Sequence, residues 1–183
     1  LFNAAKSTIS EDIFVIRDIL SKLSIGKIET ISGAAGGVKY VCGISEEKSI
    51  EFAEKLCIIL RDKERIIPGN FLYLSDIMSS PEIIMIAGKI LAAAFSGEDI
   101  DYVVTVETKG IPLAYEVAKL LGVLLVVVRR ESKVTEGPTL SINYVSGSSG
   151  RIQNMTVPKK AIRKGSKCIF IDDFMKAGGT ALG

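Results

Sequence analysis

No histidine occurs in the 183 residues. A histidine general base is therefore excluded, and a structural zinc site would lack one of its two usual ligand types. The three cysteines, Cys42, Cys57 and Cys168, form no paired motif, so no metal site is expected. Each stands among apolar neighbours, which predicts core thiols in a reducing cytoplasm. No 18-residue uncharged apolar run exists, which argues against a membrane-spanning helix. The phosphate-binding pattern GxxxxGK[ST] is also missing, and no internal repeat shows.

What is present is the balance of a folded globular protein, with 48% hydrophobic and 24% charged residues. The length allows one ordinary domain plus a smaller one. The chain opens on Leu1 and stops at Gly183, just inside what reads as a helix start, and it reads as a fragment. A net charge of +2 conceals a gradient along it. Residues 1–75 carry ten basic and ten acidic side chains, whereas residues 129–176 carry ten basic against four acidic. A solvated loop face and a surface for an anionic partner both fit that basic stretch.

Ile13, Ile16, Ile19, Leu20 and Leu23 recur at helical spacing, and Thr8 with Glu11 stands at capping-box spacing, so a helix is expected from about Thr8. Gly26 ends it. Two extended runs, 28–31 and 38–41, flank SGAAGG as a hairpin. Helical patterns follow at 46–60 and 81–95, with an extended FLYL at 71–74 between them. Tyr102–Val106 and Val123–Val128 are uninterrupted apolar runs separated by a helical 113–121, and Cys168–Ile171 supplies a third. Strands of this kind belong to a parallel sheet covered on both faces, which makes the class α/β. Residues 132–158 are polar and carry Gly137-Pro138 and SGSSG, as expected of a hinged loop or hairpin.

The third strand runs into IDDFMKAGGT. Ligands of open α/β sheets bind at the carboxyl ends of strands, where Asp172 and Asp173 stand. Backbone amides of Lys176, Ala177, Gly178, Gly179 and Thr180 can converge on a phosphate at a helix start. Two carboxylates would repel that phosphate, so their natural partners are the vicinal hydroxyls of a sugar. A ribose 5-phosphate answers both halves; an Asp pair capping a helix beside a glycine turn is the alternative the residues leave open.

The complete string IFIDDFMKAGGT resembles the ribose-phosphate loop of the type I phosphoribosyltransferase fold. ETKGIP, 107–112, falls where that fold places its pyrophosphate loop, and VVVRRESKVTEG, 126–137, where its flexible hood loop begins. These matches cover about residues 80–183. VTEGPTLSINYVSGSSGRIQ, FNAAKSTISEDI and GAAGGVKYV further resemble the purine operon repressor family of Gram-positive bacteria. In that family a winged helix precedes a phosphoribosyltransferase-like domain that binds phosphoribosyl pyrophosphate.

The resemblance implies a partial winged-helix DNA-binding domain at 1–43, a connecting region at 44–79, and an effector domain at 80–183, with the family's first helices and last strands missing. It implies a cytoplasmic repressor of purine biosynthesis and transport genes, with operator DNA as partner and no catalysis; an active purine phosphoribosyltransferase is the alternative. Asp172 and Asp173 would hold the ribose hydroxyls, and Lys176 to Thr180 the 5-phosphate. Thr108, Lys109 and Gly110 would cradle the pyrophosphate, with Arg130 and Lys133 adding charge. Magnesium suits the pyrophosphate, which it bridges with few protein ligands. Lys6, Ser7, Thr8, Ser10 and Glu11, at the start of the recognition helix, would face bases, and Lys39 a phosphate. The near-neutral charge of residues 1–75 calls for a homodimer on DNA.

Overall fold

The computed structural model describes residues 4–23, 25–33, 36–132, 134–145, 150–175 and 178–182, without the side chain of Glu136. Helix α1 spans Lys6–Leu23. It starts earlier than the expected cap, because the Ile9 amide already donates to the Ala5 carbonyl at 3.1 Å. Thr8 and Glu11 therefore lie inside the helix and form no capping box. The Ser10 hydroxyl turns back onto the Lys6 carbonyl at 2.9 Å, the usual resort of a mid-helix serine. Of the apolar stripe, Ile13 and Leu20 are half-buried, while Ile16, Ile19 and Leu23 stay exposed.

Strands β1 (Gly26–Ile31) and β2 (Gly37–Cys42) form the expected antiparallel hairpin, with Glu29 opposite Lys39. Ala34 and Ala35 of its turn lie outside the described residues. α1 packs on β1, where Arg17 Nη2 donates to Thr30 Oγ1 at 3.4 Å. Helix α2 (Glu46–Leu60) begins at Ser45, whose hydroxyl accepts the Lys48 amide, and Glu46 and Glu47 complement the dipole of its first turn.

A two-residue hairpin follows, β3 (Ile66–Ile67) with β4 (Phe71–Leu72), turning through Gly69 and Asn70 at φ of 89° and 60°. FLYL is thus paired over only half its length. The Tyr73 amide still donates to the Arg65 carbonyl at 2.8 Å, and the Arg65 guanidinium donates to the Tyr73 carbonyl at 3.1 Å and forks onto Asp76 at 2.9 and 2.7 Å. That pair holds the Asp76 carboxyl down at about 2. The short α3 (Ser75–Met78) then leads to α4 (Pro81–Ala94), capped by Ser80 and with Pro81 in the first turn, where no amide donor is needed.

The central unit is β5 (Tyr102–Val106), α5 (Ile111–Leu121) and β6 (Leu124–Val128), followed by β7 (Thr139–Val145), β8 (Ile152–Pro158), β9 (Cys168–Phe170) and the short α6 (Gly179–Leu182). β6, β5 and β9 form a parallel sheet in that order, with Val106 level with Val128 and Val104 with Phe170. One face presents Val103 and Ile169 to Leu113, Ala114 and Val117 of α5 and to Ile84 and Ala92 of α4. The other face, with Val106, Val128 and Phe170, packs on Tyr144 and Met155 of the β7–β8 hairpin. Both faces are covered, as the continuous apolar runs require. The polar segment 132–158 is therefore largely a seven-residue antiparallel hairpin. It is spliced to the end of β6, where Arg129 and Thr156 exchange backbone hydrogen bonds of 2.9 and 2.7 Å.

Of the thiols expected in the core only Cys42 is buried. Cys57 faces outward on α2, and Cys168 points away from the buried Ile169 on an edge strand. Apolar sequence neighbours do not protect a residue that the strand's period of two places on the other face.

Candidate functional site

Three chain segments meet at the carboxyl ends of β5, β6 and β9. β9 remains tied to β5 one residue past its last ladder position, the Ile171 amide donating to the Val104 carbonyl at 2.9 Å. The next residue is Asp172. Its Oδ1 accepts the Asp173 amide at 2.9 Å, so the two carboxylates are held in one bend. Burial, with Asp173 as neighbour, pushes the Asp172 carboxyl up to about 6. The charged form is thus disfavoured before anything binds.

The loop after β5 lies directly against this bend. Gly110 has ordinary helical angles, φ −67° and ψ −17°, so its need for glycine is spatial. A Cβ there would fall 2.7 Å from Asp172 Oδ1, 2.7 Å from Thr105 Oγ1 and 3.1 Å from the Asp172 Cα. Gly110 also opens α5, its carbonyl accepting the Ala114 amide at 2.9 Å. Thr108 and Lys109 share the turn and are exposed, and the Glu107–Thr108 peptide is cis. Thr105 is fully buried beside Gly110, and its hydroxyl has no hydrogen-bond partner among the described residues.

Arg130 joins this loop by its backbone. Its amide donates to Glu107 Oε1 at 2.8 Å, while Arg129 Nη1 donates to Glu107 Oε2 at 3.1 Å. Glu107 thus ties the β5 loop to the segment that follows β6. Sequence reasoning quoted Glu107 within ETKGIP and gave it no role. Its role follows from register, which only the paired sheet shows: two parallel five-residue strands ending level place the next residue of each, Glu107 and Arg129, side by side.

Gly178 takes a left-handed φ of 69°, and its carbonyl accepts the amides of Ala181 and Leu182 as α6 begins. Gly178, Gly179 and Thr180 are half-buried. Lys133, Lys176 and Ala177 lie outside the described residues. The structure therefore brings Thr108, Lys109, Gly110, Arg130, Asp172 and Asp173 to neighbouring strand ends.

The other expected set is elsewhere. Lys6, Ser7, Thr8, Ser10 and Glu11 occupy the first two turns of α1, all exposed, and Lys39 is exposed on β2. Part of the basic stretch is spent internally, since Lys167 pairs with Glu98 and its amide donates to Asp101 at 2.7 Å.

Comparison with known proteins supplies the context. Residues 1–42 match the bacterial purine repressor N-terminal domain, and residues 74–182 the phosphoribosyl transferase domain. The whole chain aligns with the purine biosynthesis transcriptional repressor of Bacillus subtilis at 49% identity, covering 64% of that protein. It also aligns over its whole length with the purine biosynthesis transcriptional activator of Lactococcus lactis at 43% identity, covering 67% of it. The chain thus spans about two thirds of the length of these relatives. Among solved structures, adenine phosphoribosyltransferase of Saccharomyces cerevisiae, complexed with an imino-altritol bisphosphate and adenine, superposes at a TM-score of 0.59 with 28% identity. That match covers 72% of this chain and 77% of the yeast one. A purine-repressor N-terminal domain leading into a type I phosphoribosyltransferase fold, in a chain that aligns over its length at 43% identity with a purine regulator of which it covers 67%, makes the chain a member of the bacterial purine repressor family.

Proposed function

We propose that the full-length protein is a DNA-binding transcriptional repressor of purine biosynthesis and transport genes, with phosphoribosyl pyrophosphate as its inducer. The observation that carries this reading is the contact of Gly110 with Asp172, which sets a pyrophosphate-type loop against a ribose-type carboxylate pair in a chain that also carries a purine-repressor N-terminal domain. In this reading Asp172 and Asp173 accept hydrogen bonds from ribose hydroxyls. Gly178, Gly179 and Thr180, with Lys176 and Ala177, take the 5-phosphate. Thr108, Lys109 and Gly110 receive the pyrophosphate, Arg130 and Lys133 add charge, and magnesium accompanies the ligand.

The exposed first turns of α1 enter the major groove, Lys39 meets a phosphate, and two copies act together in the cytoplasm. Repression is favoured over activation by the higher identity to the relative named a repressor, 49% against 43%. No transfer to a purine base is expected.

The test is binding of full-length protein to promoter DNA of a purine biosynthesis gene, with and without phosphoribosyl pyrophosphate. Weaker binding with the ligand supports the reading; indifference sinks it. Turnover of adenine, hypoxanthine or xanthine to nucleotide would establish the enzyme instead.

A further inference from the structure

The helix that springs from the Gly110 loop ends near the β1–β2 hairpin, which the winged-helix reading makes the wing. α5 has 11 residues and so spans about 16 Å. Its first turn is closed by Gly110, the residue pressed against Asp172. Its last residues, Leu120 and Leu121, line a small cavity of about 160 Å³ together with Val41 and Cys42 of β2 and Ala92 of α4. In β2 the residues from Gly37 to Tyr40 are exposed, whereas Val41 and Cys42 fall to 5% and 9% exposure. The wing strand is covered only at this end, where it packs on α4 and shares the cavity with the end of α5.

Between its ends α5 has little freedom to bend. Ala114 and Val117 are completely buried. A Cβ on Gly88 of α4 would lie 2.5 Å from Cγ of Glu116, so the two helices are in direct contact. Glu116 is buried there, and its carboxylate is held by Lys119 at 2.6 Å. A close-packed helix passes on a displacement as a body, since packed interfaces do not deform continuously.

We propose that α5, with α4 packed on it, is the mechanical link by which occupancy of the Gly110–Asp172 site reaches the wing, through the junction where Leu121, Ala92 and Val41 line one cavity. The inference rests on the effector reading above and names its route. A ligand that reorders the loop at Gly110 moves the N-terminus of α5; α5 carries the packed α4 with it, and α4 moves β2 and, through β1, helix α1. The competing route is direct: effector and DNA phosphates share the same basic side chains, and the junction plays no part.

The experiment uses full-length protein, a purine-gene operator duplex and phosphoribosyl pyrophosphate. DNA affinity is measured with and without saturating ligand, and ligand affinity by calorimetry, in wild type, Leu121→Ala and Val41→Ala. Leu121→Ala also loosens the main core, so Val41→Ala approaches the junction from the wing side. Wild type should show a coupling in the usual range of about 5- to 150-fold. In both variants ligand affinity should stay within about twofold while the coupling falls to below about a third of its wild-type value. Folded variants that keep full coupling overturn the link and leave the effector reading standing. A wild type that binds both ligands without coupling overturns both. Amide hydrogen exchange on wild type decides the matter if neither variant folds: ligand should alter protection at Leu120–Leu121 and Val41–Cys42, and a change confined to the loops at 107–110 and 172–180 refutes the link.

Discussion

Replacing Asp172 by asparagine should stabilise the unliganded protein at neutral pH and weaken its hold on ligand. Folding raises this carboxyl from its ordinary 3.8 to about 6, chiefly by burial and then by Asp173. Because the folded-state value is the higher one, the folded chain binds the proton more tightly than the unfolded chain. The stability this contributes is complete below about pH 4 and is lost as pH rises through about 6. At about 1.36 kcal/mol per unit the whole shift corresponds to about 3 kcal/mol. Asp172 is only partly buried, and solvent screening reduces the expected effect to about 1 to 1.5 kcal/mol. Asparagine keeps the shape and an acceptor for the Asp173 amide but carries no charge at any pH. Thermal denaturation at pH 7.5 should therefore place the variant about 2 to 6 °C above wild type, with the gap closing towards pH 4. Ribose hydroxyls lose a charged acceptor, worth about 1 kcal/mol more than a neutral one, so affinity for phosphoribosyl pyrophosphate should fall about fivefold by calorimetry. A gap that is constant from pH 4 to 7.5, or a variant less stable than wild type at pH 7.5, would refute the argument from burial.

Gly110→Ala should cost about 1 to 3 kcal/mol in urea denaturation and reduce ligand affinity, because its methyl must displace Asp172 or Thr105. Glu107→Ala leaves the Arg130 amide and the Arg129 guanidinium without this acceptor; a loss of about 1 to 3 kcal/mol and faster hydrogen exchange at the Arg130 amide are expected, and unchanged exchange counts against the clamp. Lys39→Ala should lower the salt slope of operator binding by about 0.9 per site, a value unaltered if Lys39 meets no phosphate.

The elements that read most clearly were those with one unambiguous period. β5 was bounded correctly because five apolar or β-branched residues stand between Asp101 and Glu107, and α2 because its residues keep one helical pattern from Glu46 to Leu60. α1 was placed two residues late. Thr8 and Glu11 have cap spacing, but an alanine carbonyl starts the helix just as well, and the pattern does not record which turn is first. Gly110, Asp172 and Asp173 were legible as loop chemistry. The perturbed state of Asp172 was not, since it arises first from burial, and the Gly110 loop packed beside it lies 62 positions away in sequence. Glu107 was invisible as a clamp for the same reason: its partners become neighbours only when β5 and β6 pair.

That pairing sets how the site can change over evolutionary time. Because Val106 and Val128 are level, Glu107 meets the Arg129–Arg130 pair without any intervening residue. Substitutions within β5 or β6 leave that alignment intact. A single inserted or deleted residue in either strand would shift one loop by about 3.3 Å and turn its next side chain to the opposite face. Descendants of this chain should therefore vary freely in side-chain size along the two strands while keeping their lengths in step, and length variation should collect in the connection between β7 and β8.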